Sequence, residues 1–108
     1  MTLTVIIDDR AISINIPEEY LTDGKSFFAK MDKDMDQGWQ MNREWIDNPT
    51  TLNRCQIAAD KLVDAMHSEN ESLLYLMSAY IVSKIPTVKS VKINTEGDML
   101  ETEIETGN

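Results

Sequence analysis

Residues 71–84 set the first constraint on how this chain can fold. Read as a helix, Leu73, Leu74, Leu76, Met77, Tyr80, Ile81 and Val82 leave almost no polar stripe. A helix apolar around most of its circumference belongs in the middle of a domain or against another subunit. Ser68-x-x-Glu71 has the form of a capping box that starts it, and Pro86 stops it. The chain has 108 residues, which is one domain's worth, 1–108. Surface scaling allows about two-thirds of the unfolded surface of such a chain to be buried, so a core around this helix needs neither disulfide nor metal.

Residues 2–16 alternate. Leu3, Val5 and Ile7 precede Asp8-Asp9-Arg10-Ala11, and Ile12, Ile14 and Ile16 follow. Pairing Ile7 with Ile12, Val5 with Ile14 and Leu3 with Ile16 puts all six on one face of a hairpin. Asp9-Arg10 makes a poor type I′ turn for it. Pro17 blocks further central strand pairing, and Pro17-Glu18-Glu19-Tyr20 reads as one helical turn before Asp23-Gly24. A second hairpin is expected over 88–105. There Val91 and Ile93 alternate, Thr95-Glu96-Gly97-Asp98 supplies a turn, and Leu100, Thr102 and Ile104 alternate again. That reading pairs Ile93 with Leu100 and Val91 with Thr102, with Lys92 opposing Glu101 on the solvent face.

Between the hairpins the period is helical. Over 25–46, Phe27, Phe28, Met31, Met35, Trp39, Trp45 and Ile46 fall in one broad stripe, with Gly38 and Asn42 inside it. This predicts one long amphipathic helix, kinked at Gly38 at most. Asn48 and Pro49 open a further helix to about residue 67, with Leu52, Cys55, Ala59, Leu62 and Met66 as its apolar seam. The fold class is therefore α+β: an N-terminal hairpin, three helices of which the last two form a helical hairpin, and a C-terminal hairpin. The two hairpins either join in one antiparallel sheet or flank a helical body.

Ten basic against 19 acidic residues give a net charge of −9. Nonspecific nucleic-acid binding needs an excess of Lys and Arg, and an anionic membrane surface repels such a chain, so neither partner is expected. No run reaches the ~20 apolar residues of a membrane span. The opening Met1-Thr2-Leu3-Thr4 has no basic segment leading into a signal-type apolar stretch, and the single cysteine, Cys55, forbids an internal disulfide. The expectation is a cytoplasmic protein.

Three constellations could carry chemistry. Asp32-x-Asp34-x-Asp36 begins like a calcium loop, with oxygen ligands at alternate positions. Gln37 stands where such a loop turns on glycine, and the apolar spacing Met31, Met35, Trp39 runs straight through, so an acidic helix face without an ion is expected. Asp60, Asp64 and His67 share a helix face and could ligate a divalent metal, or could serve an enzyme site formed between subunits. Cys55 lies in the apolar seam, about 18 Å along the helix from His67, and reads as a buried structural thiol. No phosphate-binding glycine loop or nucleophile elbow is present, and no cofactor is implied.

Trp39, Trp45, Leu74 and Ile81 are candidate interface residues, since tryptophans anchor interfaces and the 71–84 helix has apolar surface to spare. The leading expectation is a small acidic, noncatalytic interaction or accessory protein that acts as a homo-oligomer or with another protein partner. The alternatives are a metal-binding protein and a small enzyme. The rival to self-association is that both hairpins form one four-stranded sheet and cover the helix within the chain.

Overall fold

The computed structural model describes residues 1–41, 43–94 and 98–107. The chain is α+β. Its elements are β1 (Thr2–Ile7), β2 (Arg10–Asn15), α1 (Glu18–Asp23), α2 (Lys25–Met35), β3 (Trp39–Met41), β4 (Glu44–Ile46), α3 (Thr51–His67), α4 (Glu71–Lys84), β5 (Val88–Ile93), a 3₁₀ turn (Met99–Glu101) and β6 (Glu103–Thr106). The two terminal hairpins share one four-stranded sheet in the order β2-β1-β5-β6. Its central junction, β1 with β5, is parallel, so the sheet is mixed rather than wholly antiparallel.

The first hairpin turns on two residues. Asp8 and Asp9 both have positive φ, at 50° and 66°, the conformation that a type I′ turn requires and that Asp tolerates. Val5 therefore faces Ile12, Leu3 faces Ile14 and Ile7 faces Arg10, two residues from the pairing expected. A shift of two preserves the face where a shift of one would invert it. Leu3, Val5, Ile14 and Ile16 are buried, and Ile7 and Ile12 pack against the same core.

The second hairpin is displaced in the same way. Val91 faces Ile104 and Lys92 faces Glu103, because Asp98 caps a 3₁₀ turn that removes Leu100 from the strand. Residues 95–97 of the expected turn lie outside the described residues, as does Asn42 of the expected helical stripe.

The long helix expected over 25–46 does not form. Helix α2 ends at Met35, and β3 and β4 pair antiparallel as a small separate hairpin. The cause is Gly38, whose φ of +102° leaves the helical region and whose backbone N–H donates to the Met35 carbonyl at 3.0 Å. The Trp45 indole lies over Gly38, and a Cβ there would stand 2.5 Å from the ring. Gly24 joins α1 to α2, and a Cβ on it would meet the Tyr20 carbonyl oxygen at 2.4 Å.

Two helix starts also differ from the expectation. Thr50, not Asn48, caps α3, in a reciprocal box with Asn53. Asn70 caps α4 by accepting from the Leu73 N–H, because the Ser68 hydroxyl already donates to the Asp64 carbonyl at the end of α3.

Helix α4 lies at the centre. Met77, Ser78, Ala79, Tyr80, Ile81 and Val82 are all buried. Six consecutive residues exceed one and a half turns, so this stretch is enclosed on every side. Phe28 of α2 meets the Tyr80 ring edge-on at 5.7 Å, and Tyr20 of α1 packs on Tyr75 at 5.3 Å. The inner face of the sheet belongs to the same core, and the buried Gln56 of α3 donates to the Leu100 and Thr102 carbonyls at 3.0 Å. The second half of α4 is covered within the chain, while Leu73, Leu74, Tyr75 and Leu76 stay partly exposed.

Gly38→Ala combines a left-handed backbone with a steric conflict against Trp45. It is expected to cost about 2 kcal/mol, seen as a lower urea midpoint at unchanged slope. A midpoint within error of wild type would show that the β3–β4 hairpin does not depend on this glycine.

Candidate functional site

Two features draw polar or exposed apolar side chains together: a knot of charges inside the helical layer and a pair of hollows on its surface. The knot centres on Asp32. A helix separates Asp32 from Asp36 by one turn and turns Asp34 about 200° away, so the three carboxylates do not converge. Arg54 of α3 donates to Asp36 Oδ1 from Nη2 at 2.7 Å, to the Asp32 backbone carbonyl from Nη1 at 3.1 Å, and to the Pro49 carbonyl from Nε at 2.9 Å. Its Nη1 also lies 3.4 Å from Asp32 Oδ1. From α4, Lys84 Nζ and the Tyr80 hydroxyl each donate to the Asp32 carboxylate at 2.5 Å.

Asp32 is thus half-buried and ion-paired rather than exposed as expected, whereas Asp36 and Asp34 are exposed. Burial works to raise the Asp32 pKa. Hydrogen bonds from Lys84 and Tyr80, the Lys84 charge and Arg54 outweigh it and hold the carboxyl below its usual 3.8. Burial, then the hydrogen bond to Asp32, raises the Tyr80 hydroxyl well above its ordinary value. Among the described residues no group of three or more His, Cys, Asp or Glu is placed to hold a metal ion.

The second acidic constellation divides between surfaces. Asp60 is exposed along α3, and partial desolvation with Asp64 nearby raises its pKa. Asp64 borders one hollow together with Lys61, while His67 borders another with Asp8, Arg10, Ile12 and Met66. Cys55 is wholly buried, and burial pushes its thiol up to about 12.

The four candidate interface residues also separate. Ile81 is wholly buried in the chain's own core, so it offers no surface to a second subunit. Leu74 is only partly exposed. Trp45 is exposed, and its indole N–H donates to Asp47 Oδ1 at 2.8 Å. Trp39 is half-buried, with the Lys61 ammonium 5.1 Å from its ring centroid.

Trp39 and Lys61 belong to the better-formed hollow, about 360 Å³, between α2, β3, α3 and α4. Its α2 wall is Phe27, Lys30, Met31 and Asp34, whose spacing of three and four is one helix face. Leu73 and Met77 of α4 complete the apolar floor, and Lys30, Lys61, Asp34 and Asp64 form a rim of balanced charge. A second hollow of about 300 Å³ is lined by Glu19, Tyr20, Asp23, Gly24, Phe27 and Leu76. Phe27 borders both and stands between them, 39% exposed.

The pattern Phe27-Phe28 carried the signal for this site. Adjacent helical residues point about 100° apart, so two neighbouring phenylalanines cannot both reach the core fully. Phe28 does, and Phe27 is left at the surface. Such a surface offers apolar contact, a ring that can enter a partner and charges that set orientation. Comparison of the chain with protein-family models, with curated proteins and with solved structures returned no match.

The depressed Asp32 pKa makes a signed prediction. Its contribution to stability is fully present above the unfolded value of 3.8 and is lost as pH falls through the lower native value. Asp32→Asn should lower stability at pH 7 by about 2 kcal/mol, between the values typical of exposed and buried pairs, and flatten the acid limb of the unfolding profile. An unchanged acid limb would remove Asp32 from that role. Cys55 should react slowly with a thiol reagent in the native state and fast in denaturant, and rapid stoichiometric labelling of the folded chain would contradict its burial.

Proposed function

We propose that this chain is a noncatalytic protein-interaction module, an accessory protein whose contact surface is the pair of hollows on either side of Phe27. The observation that carries this reading is an exposed phenylalanine set between two apolar concavities on a chain of net charge −9. Burying that ring against a partner recovers about 25 cal/mol for each Å² of apolar area taken from water. The mixed rim of Lys30, Asp34, Lys61 and Asp64 adds orientation rather than net attraction. The charge balance favours protein over nucleic acid or membrane as the partner. A single buried thiol accords with work in the cytoplasm.

Site-specific photocross-linking tests this in cells that make the protein. A benzophenone side chain at position 34, on the rim, should give a discrete cross-linked protein product. The same group at position 83, exposed on α4 and lining neither hollow, should give none. Equal products from both positions, or none from position 34, would end this reading.

A further inference from the structure

Resting on that reading, we propose that the partner at this surface is a second copy of the chain, joined about a two-fold axis beside Phe27 so that each Phe27 ring seats in the other copy's Tyr20–Gly24–Leu76 hollow.

The surface is self-complementary, as a two-fold interface requires. A two-fold axis perpendicular to α2 sets the two α2 helices antiparallel, so a residue after Phe27 on one copy faces a residue before Phe27 on the other. With the axis passing between Gly24 and Phe27, Phe27 faces the other copy's Gly24 and Lys30 faces the last turn of its α1, which ends at Asp23. The receiving hollow, about 300 Å³, lies between α1, the Gly24 backbone and Leu76 of α4.

The charges match in the same register. Glu19 and Asp23 border the receiving hollow, and Lys30 lies one helical turn from the entering Phe27. Each copy therefore presents a ring followed by a cation, and a hollow edged by acids. The two-fold operation uses both twice. The overall charge of −9 on each copy opposes association, and at physiological salt that long-range repulsion is screened within about 8 Å while contacts at the interface persist.

Sedimentation equilibrium of the purified chain at about 100 μM and near-physiological salt tests this, a concentration at which a micromolar dimer is formed. Wild type should sediment at twice 12.3 kDa. Phe27→Lys should sediment at 12.3 kDa with an unchanged far-UV circular dichroism spectrum, since Phe27 is exposed in the single chain. Lys30→Asp and Asp23→Lys should each weaken the dimer by tenfold or more, a coupling of about 1.4 kcal/mol, and their combination in one chain should restore it.

A monomeric wild type, a dimer that survives Phe27→Lys, or a double variant no better than either single one would overturn the proposal. The cross-linking experiment separates this failure from failure of the broader reading. A monomeric chain that still cross-links through position 34 to a different protein keeps the interaction surface and loses only the second copy.

Discussion

The Asp32 carboxylate is the point at which three helices meet. It projects from α2, and its charge is answered by Arg54 from α3 and by Lys84 and Tyr80 from α4. A carboxylate removed from water costs free energy unless every lone pair is answered, and here the donors come from two different elements. The knot therefore acts as a register mark. It specifies how far α2 slides along α4, and so where Phe28 meets Tyr80 and where Phe27 emerges at the surface. The proposed contact surface is the outward consequence of an inward ion pair.

Around that mark the structure satisfies the demand made by α4. A helix without a polar stripe needs cover, and residues 77–82 receive it on every side within the core shared with α2, α3 and the sheet. The two terminal hairpins join in one sheet through the parallel pairing of β1 with β5, and its inner face contributes to the same core. Ile81 is used up internally and offers no surface to a second subunit. The apolar surface that remains lies instead at Phe27, Trp39, Leu73 and Leu76, along the seams between α1, α2 and α4.

The acidic run at 32–36 illustrates how far local pattern reaches. The apolar period correctly argues for a helix across Asp32 and Asp34, which ends before Asp36. It says nothing of Arg54 and Lys84, which arrive from positions 22 and 52 residues away. The same period misleads over 36–46. Trp39, Gln40 and Met41 alternate, and a strand of three residues is too short for alternation to compete with a helical stripe of the same residues. The decisive information was one glycine at positive φ, whose freedom a stripe analysis counts only as a small penalty.

By itself the sequence determined the α+β class, the inward face of both terminal hairpins, the helical runs around Phe28, Leu62 and Met77, and the burial of Cys55. These follow from periodicity, which each segment carries locally in the alternation of its own side chains. Tertiary structure alone decided the two-residue shift in both hairpin registers, the parallel junction of the sheet, the pairing of Asp32 and the exposure of Phe27. A two-residue slip keeps every side chain on its face, so turn geometry must choose between registers that the pattern leaves equal. Which partner answers a charge, and which of two adjacent rings is left outside, depends on neighbours brought close only when the chain has folded.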